Sequence, residues 1–317
     1  MYQTRPSSLT FAPQIPQSMR SYTPSEMETP QLHGLLLSAI APRPIAFVST
    51  VDAEGRPNLA PFSFFNVFSA NPPIAIFSPA RRVRGNTTKH TLDNVESTKE
   101  CVINVVSYDI LHQMNLASCE FEDGVNEFEK AGLTAIPSDL VRPLRVKEAP
   151  VQFECKVREI IHLGEEGGAG NLVVSEVIRM HISENVFGTD GNIDPQKLDL
   201  VARMGQNWYC RAHGEAVFEV PKPGREVGMG VDAIPDHIRN SDILTGNDLG
   251  QLGMVATLPT LEEIDDYCKQ PSVSELLKGY QSKPKQVERM LHKNAHRLLE
   301  QGKTTEAWKM LLAINRI

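Results

Sequence analysis

The chain lacks the patterns that mark secreted, metal-binding and nucleic-acid-binding proteins. Its 317 residues include only five cysteines, and none of them forms a C-x-x-C pair. This is typical of reduced thiols in a cytosol rather than of a disulfide framework or a zinc site. The formal net charge is -7, whereas neutralising the phosphates of a nucleic acid requires clustered Lys and Arg. No apolar run reaches the length of about 18 residues that a membrane span needs. We therefore expect no nucleic-acid partner and no membrane association.

Glycine and histidine patterns of common binding sites are also missing. No G-x-G-x-x-G occurs, so the chain has no recognisable Rossmann site for a dinucleotide. The segment "GEEGGAGN" (164–171) lies between two predicted strands, whereas a phosphate loop needs a helix after it, and we interpret it as a hairpin tip. His292 and His296 are four residues apart in "HKNAH". Because the pattern has no Glu and no third ligand, we predict solvated histidines and no metal site.

The order of patterns along the chain divides it into three parts. Residues 1–30 are rich in Pro and Ser and lack a continuous apolar segment, so we expect an arm without regular structure, no secretory signal and a cytoplasmic location. Residues 31–223 carry many strand-like segments and few helices, which is typical of an antiparallel barrel. Residues 224–317 comprise the rest of the Pro/Gly-rich linker "VPKPGREVG" (220–228) and a helical C-terminal extension, with Thr260 and Glu263 at capping-box spacing.

Several element boundaries can be predicted from turn and cap residues. "DAEGR" is a turn, and we expect the strand after it to run from about Pro57 through Asn66. The helix that follows "SPARRVRGN" is expected to have Asn86 or Thr87 as its N-cap. "GEAVFEV" (214–220) predicts a last strand. The segment 240–253 is long enough to cover a site, but we expect a plain surface loop.

The segment "RPNLAPFSFFNVFSANPPIAIFSP" (56–79) holds five of the twelve Phe residues, interleaved with small Ser and Asn side chains. Such a segment suits contact with a flat and partly polar ligand, because a plain core strand would carry Val and Ile opposite charged residues. After it, three Arg precede "NTTKHT", which places backbone N–H groups, hydroxyls and the Lys89 ammonium at one helix N-terminus. This arrangement is able to bind phosphate. A capped surface helix with solvated arginines is the alternative, and the residues alone slightly favour it.

The combination resembles the flavin reductase-like proteins with the FMN-binding split-barrel fold. The resemblance rests on "APRPIAFVSTVDAEGRPNLAPFSFFNVFSANPPIAIFSP", "KHTLDNV", "CVINVV", "FECKVREII", "NLVVSEVIRMHI" and "VARMGQNWYCRAHGEAVFEV", which occur in this order between about Gln31 and Pro223. It implies a mainly β fold, a six-stranded antiparallel Greek-key barrel with flanking helices, to which this chain adds a C-terminal helical extension. It also implies a homodimer that binds FMN near the subunit interface.

The resemblance implies flavin contacts at nine residues. The residues implied for the ring and the ribityl chain are Thr50, Pro61, Phe62, Ser63 and Asn66. Those implied for the phosphate are Ser78, Arg84, Lys89 and Thr91. We name no catalytic residue, because flavin accepts hydride itself, and we interpret His213 as a structural histidine.

One departure from the family pattern leaves three hypotheses open. Many NAD(P)H:flavin reductases of this kind carry Gly-Asp-His ahead of the strand that matches "LVVSEVI", with the His near the nicotinamide, whereas this chain has Ala169, Gly170 and Asn171. The first hypothesis is an FMN oxidoreductase that uses NADH or NADPH and supplies reduced flavin or electrons to a partner oxygenase. The second is a flavoredoxin-like carrier with tightly bound FMN that a protein partner reduces. The third is a non-catalytic flavin-binding interaction module.

Overall fold

The computed structural model describes residues 19–278 and 283–316. Contacts within the chain form two compact units, Ser21–Glu219 and a unit that contains Val220–Ile317. The division falls at the first residue of "VPKPGREVG", whose proline and glycine residues disfavour regular structure. Most of the predicted N-terminal arm lies outside the described residues. Of the helices that the structure describes, none is long and apolar enough to cross a membrane.

The first unit is built around one large antiparallel sheet. The strands of the unit are β1 (Ala46–Val51), β2 (Pro57–Phe62), β3 (Phe65–Ala70), β4 (Pro73–Phe77), β5 (Glu100–Val105), β6 (Ala135–Ile136), β7 (Arg145–Val146), β8 (Val151–His162), β9 (Asn171–Ile182), β10 (Val201–Arg203) and β11 (Tyr209–Arg211). Seven of them form a sheet in the order β2-β1-β5-β8-β9-β4-β3, while β6 pairs with β7 and β10 with β11. Its helices are α1 (Thr29–Ala39), α2 (His90–Thr98), α3 (Leu111–Leu116), α4 (Glu127–Ala131) and α5 (Pro195–Leu198).

A very short connection joins the two edges of this sheet. β2 lies at one edge and β3 at the other, yet only Ser63 and Phe64 separate them in the chain. Because three residue steps span at most about 11 Å, the sheet must curl until its edges approach each other. The Phe64 carbonyl accepts a 2.9 Å hydrogen bond from the N–H of Ser78 at the end of β4. The antiparallel barrel expected from the sequence is therefore confirmed.

Side chains on the two faces of the sheet pack into separate apolar clusters. β1 is buried at every position, and its side chains alternate between the faces. Phe47 packs in one cluster with Met114 of α3 and Phe128 of α4. Val48, its neighbour, packs in the other cluster with Leu92 of α2. The helices α2, α3 and α4 are therefore held against the strands by opposite faces of the same sheet.

The Phe-rich segment forms one strand more than expected. The strand predicted to run from Pro57 through Asn66 ends at Phe62, and β3 begins at Phe65. The sheet consequently has seven strands rather than six. The break occurs because the chain passes there from one sheet edge to the other, a long-range requirement that the local pattern of Phe and Ser does not contain.

Two further local predictions are wrong. Helix α2 begins at His90 with Lys89 as N-cap, and not after Asn86 or Thr87, because the Thr87 carbonyl accepts a 2.9 Å hydrogen bond from the Arg82 N–H in the preceding loop. The segment predicted as a last strand starts with a 3-10 turn at Gly214–Ala216. Gly214 has a φ of +60°, which is outside the range of extended backbone.

The second unit is helical, as the sequence predicts. Its helices are α6 (Asp236–Arg239), α7 (Gly246–Gly253), α8 (Leu261–Cys268), α9 (Pro271–Lys278), α10 (Pro284–Glu300) and α11 (Thr304–Leu312). The capping box of Thr260 and Glu263 is present at α8. The segment 240–253 is not a plain loop, because it contains α7, whose Leu252 packs in the core of this unit. Trp308 is fully buried there, and its Nε1 donates to the Leu252 carbonyl at 3.1 Å.

The two histidines of "HKNAH" point to partners on other elements of this unit. His292 is buried, contrary to the prediction of a solvated side chain, and its Nδ1 lies 2.7 Å from Ser241 Oγ. Burial lowers the pKa of His292. His296 Nδ1 lies 2.9 Å from Asp248 Oδ2. The prediction for His292 is wrong because the ring has a hydrogen-bond partner, Ser241, 51 positions earlier in the chain. This hydrogen bond allows the ring to be buried.

Candidate functional site

A recess opens at the N-terminus of helix α2, and we call it the Lys89 recess. Four segments of the first unit form its wall. Its lining residues are Asn58, Ala60 and Pro61 of β2, Arg82, Lys89, His90, Thr91, the segment 117–121 and Glu127 of α4. Strand β2 brings its residues to this place because it is the sheet edge that α4 packs against, and the loop before α2 crosses the same edge.

The first turn of α2 presents unsatisfied donors to this recess. Lys89 is the N-cap residue and makes no side-chain cap hydrogen bond. The N–H groups of His90 and Thr91 have no acceptor among the described residues. The first N–H groups of a helix carry partial positive charge and bind anions.

The Lys89 ammonium has no salt-bridge partner among the residues that the structure describes. The side chain is half-buried. Its Nζ lies 5.6 Å from the centre of the Phe62 ring. Burial and, to a smaller extent, the nearby Arg82 guanidinium lower the pKa of Lys89, and the Glu120 carboxylate opposes them weakly. Two neighbouring cations with open helix N–H groups form an arrangement that favours an anion.

Arg82 is held in place by the loop that leads into α2. Its Nη1 donates to Thr87 Oγ1 at 3.1 Å and also to the Thr88 carbonyl. Its Nε donates to Glu120 Oε1 at 3.0 Å, and Glu120 belongs to the segment 117–121 that forms the outer wall. These contacts fix the guanidinium beside Lys89 without using all of its five donors.

A buried polar network forms the floor of the recess. Asn58 Nδ2 donates to Thr91 Oγ1 at 2.9 Å and to Thr50 Oγ1 at 3.2 Å. Asn94 Nδ2 donates to the same Thr50 oxygen at 3.0 Å. All four side chains are buried. Because the Thr91 oxygen accepts from Asn58, its hydroxyl proton is left to donate into the recess.

The side chain of Glu127 lines the inner end of the Lys89 recess. Its Oε2 accepts a 3.0 Å hydrogen bond from the Leu59 N–H on the edge strand β2. The side chain is buried, and this burial raises the pKa of Glu127 despite that hydrogen bond. A carboxylate therefore marks the limit of the positively charged part of the recess.

A second recess continues from the first, and we call it the Ser63 recess. It is lined by Ile45, Pro61, Ser63, Met114, Asn115, Ser118, Arg203 and Tyr209. Pro61 and Ser118 line both recesses, so the two form one groove. The Arg203 guanidinium stacks on the Tyr209 ring at 4.6 Å.

The far end of the groove is also positively charged. The buried Arg43 donates to the carbonyls of Ile40 at 2.7 Å and Met204 at 3.1 Å, and its Nε lies 3.5 Å from Ser63 Oγ. Burial, and secondarily the charge of Arg203, lower the pKa of Arg43. Neither guanidinium forms a salt bridge with a described carboxylate.

The structure brings only part of the predicted residue set into the groove. Pro61, Ser63, Lys89 and Thr91 line it. Thr50 lies behind it in the polar floor, and Phe62 lies behind it in the core. In this structure both residues support side chains that line the groove, and their expected contacts with a flavin stay a prediction.

Three predicted residues lie elsewhere. Asn66 is exposed on the edge strand β3, and its Oδ1 accepts from the Val67 N–H at 2.8 Å. Ser78 is buried, and its Oγ accepts from the Asn171 N–H at 3.0 Å. Arg84 is exposed in the loop before α2. None of the three lines either recess.

Sequence reasoning missed several residues of the groove. Asn58, Glu127, Arg203 and Tyr209 were not predicted, and Arg82 was considered only as one member of a basic run. A signal was available for Asn58, because an amide at a strand position that should be apolar requires a buried partner. No local signal identifies Glu127, whose partner Leu59 is 68 positions away.

Comparison with known proteins assigns the family. A family model described as "Flavin reductase like domain" matches residues 38–198. The chain belongs to this family. Its similarity to an uncharacterized protein of Aquifex aeolicus is 37% identity over 195 residues, covering 62% of this chain and 97% of that protein.

Two solved structures resemble the chain in both fold and sequence. Nitrilotriacetate monooxygenase component B from Bacillus cereus has a TM-score of 0.60 and 32% identity, covering 64% of this chain and 100% of that one. The 2-nitrobenzoate 2-nitroreductase NbaA from Pseudomonas fluorescens has a TM-score of 0.57 and 26% identity, covering 66% and 100%. The split-barrel fold expected from the sequence is confirmed, and membership of the family supports a flavin-related oxidoreductase role.

The unpartnered ammonium predicts an unusual response to mutation. Replacing Lys89 by Met should leave the free energy of unfolding of the ligand-free protein unchanged or raise it by up to about 1 kcal/mol, because a half-buried charge without a partner is removed. The pKa of Lys89 is lower in the folded than in the unfolded chain. The destabilisation is therefore full below the folded pKa and disappears as the pH rises past the ordinary lysine value of about 10.4. Urea unfolding at pH 7, followed by circular dichroism, measures it.

The matched control for this prediction is Lys130→Met, which removes an exposed ammonium from α4. If Lys89→Met were destabilising by more than about 1 kcal/mol relative to this control, Lys89 would have a structural role that the geometry does not show.

Proposed function

We propose that the protein is an FMN-dependent oxidoreductase that binds FMN along the groove, takes electrons from NADH or NADPH and supplies reduced flavin or electrons to a partner oxygenase. The observation that carries the proposal is the half-buried Lys89 ammonium, without a salt-bridge partner among the described residues, beside Arg82 at the open N-terminus of α2. Family membership supports a flavin as the ligand, and the charge of the groove supports binding there.

The Lys89 recess fits the flavin phosphate. Two cations, the two N–H groups of the first helical turn and the Thr91 hydroxyl converge there. A phosphate needs several donors and positive charge, and helix N-termini bind phosphate through those N–H groups and the helix dipole. The polar floor of Asn58 and Thr50 keeps the Thr91 hydroxyl in position.

The Ser63 recess fits the ring and the ribityl chain. FMN, when bound, supplies the hydride and electron chemistry itself. The residues of the chain hold and orient it: Pro61 and Ser118 lie between the two recesses, and Ser63 offers a hydroxyl. Arg43 and Arg203 place positive charge at this end, which favours a ligand that gains negative charge.

The names of the two similar solved structures also support a reductase that acts with an oxygenase. One is named as component B of a monooxygenase, and the other is named as a nitroreductase. The first name supports a protein that acts together with an oxygenase component, and the second supports a flavin-linked reductase activity.

A second candidate function is an electron carrier that a protein partner reduces. It is favoured by Asn171, which stands where many family reductases are expected to have a nicotinamide-contacting His. Asn171 is buried; its Nδ2 donates to the Pro79 carbonyl at 2.8 Å, and its Oδ1 lies 2.7 Å from His162 Nδ1. Its side chain is therefore used within the barrel, and that position offers no group to a nicotinamide.

Absorption spectra distinguish the two candidates. After addition of FMN and desalting, we expect flavin bands to remain with the protein, because the phosphate is held by charge-assisted hydrogen bonds. Bleaching of the bands by NADH or NADPH without oxygen supports the reductase. Bands that persist with both nicotinamides support the carrier, and failure of FMN to bind in a direct titration would overturn the proposed FMN site.

A pair of arginine variants locates the phosphate. Arg82→Ala should weaken FMN binding by about tenfold or more, since it removes charge-assisted hydrogen bonds, while riboflavin, which has no phosphate, should bind with little change. Arg84→Ala, the matched control two residues along the same loop, should leave both affinities unchanged. Titrations followed by flavin fluorescence measure them. The opposite pattern, with Arg84 important and Arg82 not, would place the phosphate outside the Lys89 recess.

We also propose that the chain forms a homodimer through an exposed apolar patch made by α1 and β3. Leu36 of α1, Ile40 directly after α1, and Val67 and Phe68 of β3 are exposed by 49%, 66%, 63% and 65%. The elements lie side by side, since His33 contacts Phe64 edge-on at 6.2 Å. Contiguous apolar surface of this kind marks an interaction site.

A charge placed in this patch should separate the dimer. Phe68→Glu is expected to convert it into a monomer, because the carboxylate would lose its hydration in the interface. The control is Phe218→Glu, at another exposed phenylalanine of the same unit. Light scattering after gel filtration gives the mass of each species. A dimer that survives Phe68→Glu would mean that another surface forms it.

A further inference from the structure

The turn between β8 and β9 packs against the loop that carries Arg82. We call residues 164–170 the hairpin tip and residues 79–88 the arginine loop. Arg82 lines the Lys89 recess, whereas no residue of the hairpin tip belongs to the lining of that recess. Any effect of the hairpin tip on the recess must therefore be transmitted through the arginine loop.

Backbone hydrogen bonds join the hairpin tip to the residue directly before Arg82. The N–H of Arg81 donates to the Ala169 carbonyl at 2.8 Å, and the N–H of Gly168 donates to the Arg81 carbonyl at 3.1 Å. Both backbone polar groups of Arg81 are thus bonded to the hairpin tip. The backbone that leads into Arg82 consequently follows the position of the hairpin tip.

Asn86 fastens the other end of the arginine loop. Its Nδ2 donates to the Glu165 carbonyl at 2.9 Å, and its Oδ1 accepts from Arg81 Nε at 2.7 Å. Its φ is +49°, in the left-handed region that asparagine adopts more readily than most residues. The hairpin tip therefore holds the arginine loop on both sides of Arg82.

Gly167 lies in direct contact with the backbone of Arg82 and Val83. A methyl group on Gly167 would place its carbon 2.9 Å from the Val83 carbonyl oxygen and 3.1 Å from the Arg82 carbonyl oxygen. These obstructing atoms are backbone, so they cannot be avoided by rotation of a flexible side chain. A side chain at position 167 would therefore displace the arginine loop at Arg82 itself.

We infer that the hairpin tip sets the position of the Arg82 guanidinium in the Lys89 recess, and that Gly167 is a positioning residue for the ligand bound there. The inference rests on the proposed function, in which this recess holds the flavin phosphate. Charge-assisted hydrogen bonds weaken steeply with distance and angle. A displaced Arg82 should thus weaken binding of the phosphate and leave binding in the Ser63 recess, which Arg82 does not line, unchanged.

The experiment compares FMN with riboflavin in fluorescence titrations of the full chain. Gly167→Ala should weaken FMN binding by about threefold or more and leave riboflavin binding unchanged. The matched control is Gly164→Ala, which makes the same change in the same hairpin tip. The nearest atom to its added carbon is Ala169 Cβ at 3.4 Å, so neither affinity should change.

A double variant tests whether the effect acts through Arg82. In a chain that already carries Arg82→Ala, the further change Gly167→Ala should weaken FMN binding no further, because the group that it displaces is gone. A general loosening of the barrel would instead add to the effect of Arg82→Ala and would also weaken riboflavin binding.

A second single variant keeps the inference testable if Gly167→Ala does not fold. Asn86→Gly removes the side-chain hydrogen bonds to Glu165 and Arg81 and retains a residue that tolerates positive φ. It should weaken FMN binding and leave riboflavin binding unchanged. Urea unfolding followed by circular dichroism shows whether each variant is folded.

The outcomes separate the inference from the proposed function. FMN affinity that neither Gly167→Ala nor Asn86→Gly lowers would overturn the inference and leave the proposed function standing. The same holds if Gly167→Ala weakens FMN and riboflavin equally, or if its effect persists in full beside Arg82→Ala. Failure of the unaltered chain to bind FMN would overturn the proposed function, and the inference would fail with it.

Discussion

The connection of Ser63 and Phe64 between opposite edges of a seven-stranded sheet constrains the first unit more than any other feature. Two residues cannot cross a flat sheet of this width, so the strands have to curl. The groove follows from that curl. Pro61 lies two residues before the connection and, with Ser118, lines both recesses, while Ser63 of the connection itself lines the second one.

The buried polar network under the groove ties the helix to the sheet. A network of this kind stabilises a structure only when every member has a partner, because an unsatisfied buried amide is destabilising by about 1–3 kcal/mol. Thr50, Asn58, Thr91 and Asn94 satisfy one another. They therefore fix the rotation of α2 against β1 and β2, and with it the direction in which the first helical turn presents its N–H groups.

The sequence predicted the parts of the site that depend on local chemistry. Lys89 and Thr91 could be found because a helix N-terminus with cations and hydroxyls is visible in a few adjacent residues. Asn66 could not be placed, since its position depends on the passage of the chain at Ser63 and Phe64 from one edge of the sheet to the other. Which arginine of the loop lines the Lys89 recess, Arg82 or Arg84, depends on the path of the loop. Hydrogen bonds from Arg82 to Thr87 and Thr88 fix that path. The position of Ser78 also depends on a distant residue, because its hydroxyl oxygen accepts a hydrogen bond from the N–H of Asn171, 93 positions later in the chain.

Under the proposed function, the ammonium of Lys89, which has no salt-bridge partner among the described residues, would also link the lifetime of the protein to its ligand. A chain whose recess holds an anion is stabilised in proportion to the logarithm of the ligand concentration over its dissociation constant, whereas the empty chain retains a half-buried charge without a counterion. Proteases act on the fraction of molecules that are transiently unfolded, and a difference of about 1–2 kcal/mol changes steady-state abundance several-fold. With FMN as that anion, newly made chains would accumulate in step with flavin supply, and those that remain empty would be removed first.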